Sequence, residues 1–224
     1  MPCPPERTLD ALSDPIVRDL AARGRIRDFA ASAVLHREGD PAESLFVILD
    51  GEIQGTVSDS QGREMVLHRY GPAEFVGEMA LGAALGMAGC DRHRYSACAR
   101  TAAVCAIIDR NPLDAALRAH PGILRRMIGI LTLRHGDIVD SVRRLALVDV
   151  YGRVRQLLVH LEAAAGTADA PHAPRERLTH QDIANRVGAS RDMVGRVLRD
   201  LLAGGYIAVD DRRFRILRPL PTRW

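Results

Sequence analysis

The sequence predicts an α+β protein in three parts: a strand-rich N-terminal block, a long central helix, and a C-terminal module of short helices and a hairpin. Three observations carry that prediction. Glycines at 39, 51, 55, 62, 71 and 77 recur between short β-type runs across residues 26–108. From Pro112 the apolar spacing changes to steps of three and four. Near the C-terminus two short helical patterns flank Gly188, and two alternating runs follow Gly204-Gly205. The expected boundaries are 1–111, 112–147 and 148–224.

Each element has its own warrant. Residues 6–24 read as helical because Leu9, Leu12, Ile16 and Leu20 lie near helical spacing. SLFVILDG (44–51), EIQGTVSD (52–59), EMVLHRYG (64–71) and AAVCAIID (102–109) read as successive strands of a sandwich or barrel. Leu124, Met127, Leu131, His135, Ile138, Val142 and Leu145 then line one side of the central helix. A narrow apolar seam of that length suits pairing with a second copy of the chain. Packing against the strand block is the other reading of the same residues. A further helix is expected over 148–160, and residues 162–177 read as a loop of small residues and prolines.

The C-terminal pattern is the most specific. Thr179 followed by Asp182 is the signature of a capped helix start, with Ile183, Ala184 and Val187 on its inner face. Gly188 supplies the left-handed turn, and Ser190 caps a second helix whose inner face is Val194, Val197, Leu198 and Leu201. This is a helix-turn-helix, and YIAVDDRRFRIL reads as the β-wing behind it. The outer face of the second helix then carries Arg191, Asp192, Gly195 and Arg196 in its first turns, where a recognition helix meets base edges. Arginine pairs with guanine O6 and N7, and a carboxylate accepts from cytosine N4. Arg212, Arg213 or Arg215 on the wing are candidates for backbone contact.

Composition agrees with a polyanionic partner. All 31 basic side chains are arginine, and residues 149–224 hold 13 of them against 9 acidic ones, whereas residues 1–148 hold 18 against 19. No apolar run reaches membrane-spanning length and no secretory leader is read, so a cytoplasmic protein is expected. Cys3, Cys90, Cys98 and Cys105 lack metal-site spacing. Cys90-x-x-His93 lies in the spacer and His135 on the seam of the central helix; a lone His or Cys is usually structural or solvated, so neither haem nor metal is expected. No nucleophile elbow, zinc-protease or phosphate-loop motif occurs, which argues against an enzyme.

On these residues the chain resembles the catabolite activator / fumarate-nitrate regulator (Crp/Fnr) superfamily of bacterial transcription factors. LTHQDIA and VGASRDMVGR match the superfamily's helix-turn-helix, and the Arg-acid-x-x-Gly-Arg order is that of its catabolite-activator branch. The resemblance implies a cyclic-nucleotide-binding-type β-roll, a central dimerisation helix and a winged helix-turn-helix. It implies base reading by Arg191, Asp192 and Arg196, backbone contacts from Thr179, Gln181 and Ser190, and a palindrome of TGTGA-like half-sites. Double-stranded DNA, a second copy of the chain and RNA polymerase are the implied partners.

The resemblance also marks an effector site. Gly77-Glu78-Met79-Ala80-Leu81 matches the opening of the superfamily's phosphate-binding cassette, and Ser96-Ala97 matches its close. Tyr95 then stands where the phosphate-binding arginine is implied, with Arg94 one residue earlier, and strand neighbours point to opposite faces. The spacer is longer than in the catabolite activator. Ile138 and Val139 align with two hydroxyl residues that contact adenine there, and neither side chain can form that bond. Three outcomes stay open: a cyclic nucleotide gripped by a shifted Arg92 or Arg94, a different effector, or activity without a ligand. Gly77, Glu78, Arg94 and Ser96 are the candidate effector residues. A nucleotide-binding module that acts through a protein partner is the alternative function.

Overall fold

A run that is apolar on both sides forms the middle of the N-terminal block. In the computed structural model, which describes residues 9, 10, 12–165 and 176–222, strand β3 (Ser44–Asp50) lies inside a four-stranded sheet of order β1-β8-β3-β6. It pairs with β6 (Phe75–Val76) and β8 (Ala103–Asp109), and β1 (Arg25–Phe29) pairs with the far side of β8. A second sheet of order β2-β7-β4-β5 contains β2 (Val34–His36), β4 (Ile53–Ser58), β5 (Glu64–Tyr70) and β7 (Ser96–Ala99). Register is antiparallel, with Val47 opposite Ala106 in the first sheet and Gly55 opposite Ala97 in the second.

Alternation along β3 sends residues to two cores, as strand geometry requires. Leu45, Val47 and Leu49 join a cluster with the helices, while Phe46 and Ile48 join Ile53, Tyr70 and Tyr95 between the sheets. The helical cluster includes Val17 and Leu20 from α1 (Pro15–Ala21), and Ala80 and Leu81 from α2 (Met79–Ala84). Leu113, Ala116 and Leu117 from α3 (Arg110–Ala119) complete it with the first turns of α4 (Pro121–Leu147). The expected helix over 6–24 is in part outside the described residues. Leu9 and Asp10 are helical, but residues 12–14 are not, so the expected single helix is interrupted. A helix starts afresh at Pro15, because the Asp14 side chain accepts from the Ile16 and Val17 amides and Pro15 takes the first turn.

The central segment differs from the single helix expected over 112–147. Two helices, α3 and α4, meet at His120, whose φ of −132° and ψ of 83° are non-helical. The residue before a proline is driven out of the helical region, and Pro121 then opens α4. The 27 residues of α4 span about 40 Å.

The contacts divide the chain into two compact units, Met1–Val57 with Val66–His135, and Ser58–Met65 with Gly136–Trp224. Within the second, α5 (Val150–Ala165), α6 (His180–Val187), α7 (Arg191–Ala203) and the hairpin β9 (Ile207–Asp210)–β10 (Arg213–Ile216) share one core. Tyr151, Val154 and Leu158 of α5 pack there with Ile183, Val194, Leu198, Leu201 and Ile207. Helix α5 continues past the expected end at 160. Most of the loop expected over 162–177 lies outside the described residues, as does Cys3.

The seam read from the sequence is divided between uses. Met127 is 2% exposed within the first core, and Leu124 and Leu131 pack against it. Leu145 lies against Gly188, where an added Cβ would stand 2.6 Å from its Cδ2. These four serve intramolecular packing. The exposed residues are His135, Ile138 and Val142, together with Ile128, Thr132, Val139 and Ala146. The periodicity was real, but it counted residues from two faces of α4 as one.

Candidate nucleic-acid interface and effector pocket

The helix-turn-helix follows from its caps. The Thr179 hydroxyl accepts from the Asp182 amide at 3.1 Å, and Asp182 accepts from the Thr179 amide at 2.7 Å, which closes a capping box. Helix α6 ends at Gly188, with φ 61° and ψ 47°, the left-handed conformation that glycine adopts at least cost. Ser190 then caps α7 by accepting from the Met193 amide at 3.2 Å. Burial of Val194, Leu198 and Leu201 turns the opposite face of α7 outward.

That outward face carries Arg191, Asp192, Arg196 and Arg199, all exposed. Together with Gly195, Leu202 and His180 they line one concavity. Among the described residues none of these three guanidinium groups takes part in an ion pair, so their N–H forks remain available to an acceptor. A carboxylate beside uncommitted arginines gives the face both donors and an acceptor, which is what reading base edges needs. Thr179, Gln181 and Ser190 lie exposed at the starts of the two helices.

The wing is a two-residue hairpin in which Asp210 faces Arg213. Its turn residues Asp211 and Arg212 have φ of 47° and 60°, the two positive values of a type I′ turn. Asp211 pairs with Arg177 and Arg213, and the Arg212 carbonyl accepts from Leu178. These contacts hold a turn that lacks the usual glycine, and they leave the Arg212 side chain exposed at the tip.

In the first unit, Gly77 has φ 82° and turns the chain from β6 into α2, placing Glu78 at the helix start. Glu78 is engaged by the protein itself. The Tyr95 hydroxyl donates to Glu78 Oε2 at 2.8 Å, and Arg134 Nη1 of α4 lies 3.6 Å from the same oxygen. Arg134 also donates to the Phe75 carbonyl at 2.9 Å and sits over the rings of Tyr70 and Phe75. Burial, with the Glu78 charge nearby, pushes the Tyr95 phenol far above its ordinary range, so it is a donor at every ordinary pH.

The other candidates of this pocket are directed elsewhere. Arg94 is exposed and donates to the Gly89 carbonyl at 3.1 Å, and Arg92 donates to the Gly39 carbonyl at 2.7 Å. Both tie the spacer to its own surroundings; neither joins Glu78. The Ser96 hydroxyl accepts from the Glu38 amide at 3.0 Å. The spacer is an ordered connection, since the His93 amide bonds Asp40 and the Ala42 amide bonds Asp91. His93 is buried and stacks on His36 with ring centres 3.7 Å apart.

Comparison with known proteins agrees with this layout. Residues 26–120 match the model of the cyclic nucleotide-binding domain, and residues 152–219 match the Crp-like helix-turn-helix domain. The chain is 32% identical over 208 residues to the CRP-like protein Clp of Xanthomonas campestris, covering 91% of this chain and 87% of that one. The chain belongs to the Crp/Fnr family of transcription regulators. It is 29% identical over 189 residues to the cAMP-activated global transcriptional regulator CRP of Salmonella typhimurium, covering 84% and 88% of the two chains. A solved structure of the c-di-GMP responsive global regulator CLP of Xanthomonas campestris superposes with a TM-score of 0.79 at 27% identity, covering 91% of this chain and 99% of that one. A Crp/Fnr regulator from Eubacterium rectale shares the fold, with a TM-score of 0.70 at 16% identity and coverage of 94% and 92%.

This Crp/Fnr chain is therefore a DNA-binding regulator of transcription and not an enzyme. Among the described residues no helix is long and apolar enough to cross a membrane. Sequence reasoning missed three residues. His180 and Arg199 share the concavity of the recognition helix; Arg199 was open to discovery, being seven residues after Asp192 and three after Arg196 and hence on the same face. Arg134 was hidden, since an arginine in a helix reads as a solvated side chain until its burial is seen.

Proposed function

We propose that the protein is a cytoplasmic, homodimeric regulator that reads a palindrome of TGTGA-like half-sites. In this reading Arg191 and Arg196 donate to guanine edges and Asp192 accepts from a cytosine amine. Thr179, Gln181, Ser190 and Arg212 approach the phosphate backbone on either side. The exposed face of α7, whose arginines form no ion pair among the described residues, is the observation that carries this reading.

Dimerisation is assigned to the exposed stripe of α4: Ile128, Thr132, His135, Val139, Val142 and Ala146. Its steps alternate between four and three residues, the heptad spacing of a two-helix seam. Ile138 flanks it. A symmetric pair presents two recognition helices, and a two-fold palindrome is the matching target. RNA polymerase is the further partner that this reading implies.

The N-terminal domain is the site of control, and its cyclic-nucleotide site is degenerate. One relative is described as cAMP-activated and another as c-di-GMP responsive. Here Tyr95 engages Glu78, while Arg94 is exposed and bound to the spacer. Selection of random duplexes on the purified protein tests the DNA reading, with enrichment of a palindrome as the expected result. Absence of enrichment, with or without cell extract, would favour the alternative of a nucleotide-binding module that acts through a protein partner. No observation made on the chain favours that alternative now.

A further inference from the structure

Glu78 sits at the start of α2, Tyr95 at the edge of β7 and Arg134 in the fourth turn of α4. The three meet at one carboxylate oxygen, with Arg134 and Tyr95 more than nine-tenths buried. The Tyr95 ring is fixed from every side. It stacks with Tyr70 at 6.4 Å and lies edge-on to His36 at 5.4 Å. Beneath it Gly55 of β4 has no Cβ, and one added there would stand 3.1 Å from both the Tyr95 and Tyr70 rings. The guanidinium of Arg134 closes the stack, 4.6 Å over Tyr70.

This arrangement links the sheet to α4 through a half-buried carboxylate, 21% exposed. The Glu78 carboxylate receives a charged partner from the helix and a hydroxyl donor from the sheet. Removing the hydroxyl takes a donor from this carboxylate, and removing the carboxylate leaves the buried Arg134 charge short of its partner. From Arg134, α4 runs without a break to Leu147, the last residue before the segment that leads into α5. A fixed Arg134 therefore fixes the element that joins the two units in sequence.

We propose that the Tyr95 phenol acts as an internal ligand: the Tyr95–Glu78–Arg134 bridge holds α4 in its DNA-competent setting with no small molecule bound. A signal then acts by breaking the bridge and not by building it. This inference rests on the DNA-binding reading above and deepens it. Tyr95 acts through Glu78 and Arg134 and is therefore a positioning residue.

The test uses full-length protein freed of nucleotide, checked by its ultraviolet absorbance ratio, and the palindrome recovered by selection. Wild type binds that duplex without additions, and saturating cyclic AMP or cyclic GMP does not tighten it by more than about twofold (about 0.4 kcal/mol). Tyr95→Phe keeps the ring and removes only the hydroxyl; it weakens DNA binding at least about tenfold (about 1.4 kcal/mol). Gly55→Ala displaces the ring and weakens binding in the same direction, with circular dichroism confirming that each variant is folded. Wild type that binds only when a cyclic nucleotide is added overturns the inference and leaves the regulator reading intact. So does a folded Tyr95→Phe protein of wild-type affinity. Loss of the palindrome under every addition overturns both.

Discussion

Buried imidazoles make the first unit acid-sensitive in a predictable direction. Burial first, and the neighbouring His93 charge second, push the His36 imidazole down from about 6.5 to about 3, against a smaller opposing pull from Asp40. The folded state thus holds fewer protons than the unfolded chain between those values. Its stability is intact above about pH 6.5 and falls as the pH drops toward about 3. His36→Phe keeps a flat ring against His93 and cannot titrate, so its melting temperature should lose less than that of wild type across this window. Equal acid slopes for the two proteins would remove His36 as the cause. At the DNA face, Arg191→Ala is expected to cost roughly 1–3 kcal/mol at one guanine position and to relax discrimination there. A binding assay across single-base variants of the site checks this, and uniform weakening on all of them would demote Arg191 to a phosphate contact. Single residues were legible where type and spacing act together, as at Thr179, Gly188 and Ser190, whose roles depend on local backbone alone. Tyr95 was legible as a departure from the cassette, but its bond to Glu78 was not, because that contact joins residues 17 positions apart in sequence.

At the scale of elements, the turn between α6 and α7 is the least forgiving point of the DNA-binding module. Gly188 combines a positive φ with a space that an added Cβ would share with Leu145 at 2.6 Å. Gly188→Val therefore meets both backbone strain and a clash, and should destabilise the second unit by more than about 2 kcal/mol. Chemical denaturation monitored by circular dichroism reads this directly; a loss within about 0.5 kcal/mol, the range of a neutral surface change, would contradict it. The strands and the helix-turn-helix were legible because local periodicity and turn chemistry agree there. The central helix was less so. Pro121 was present to mark the break after α3, but the apolar steps on either side of it ran on and masked it. Periodicity also does not say which partner covers an apolar face. Leu124, Met127 and Leu131 turn toward the first core, and Val139 and Val142, at 42% and 59% exposure, are left uncovered.

For the molecule as a whole, the proposed reading accounts for those uncovered residues and the recognition face together, as a symmetric pair of chains on a symmetric duplex. Val142→Asp places a carboxylate in the proposed seam, where it has no partner and loses its water. Sedimentation at graded concentrations should show the dimer weakened at least about tenfold, with affinity for the palindrome falling alongside it. A variant that stays dimeric would move the seam elsewhere on the chain. The charge pattern fits this division of labour, with the arginine excess confined to residues 149–224. The central claim is that α7 reads base edges in adjacent major grooves on behalf of a dimer. The measurement that tests it most directly is selection of random duplexes on the full-length protein, followed by sequencing. The expected product is a two-fold palindrome of TGTGA-like half-sites whose centres lie about 10 base pairs apart, one turn of the duplex. Bound duplexes that share no palindrome, or only a general preference for charge that fades with salt, would contradict it.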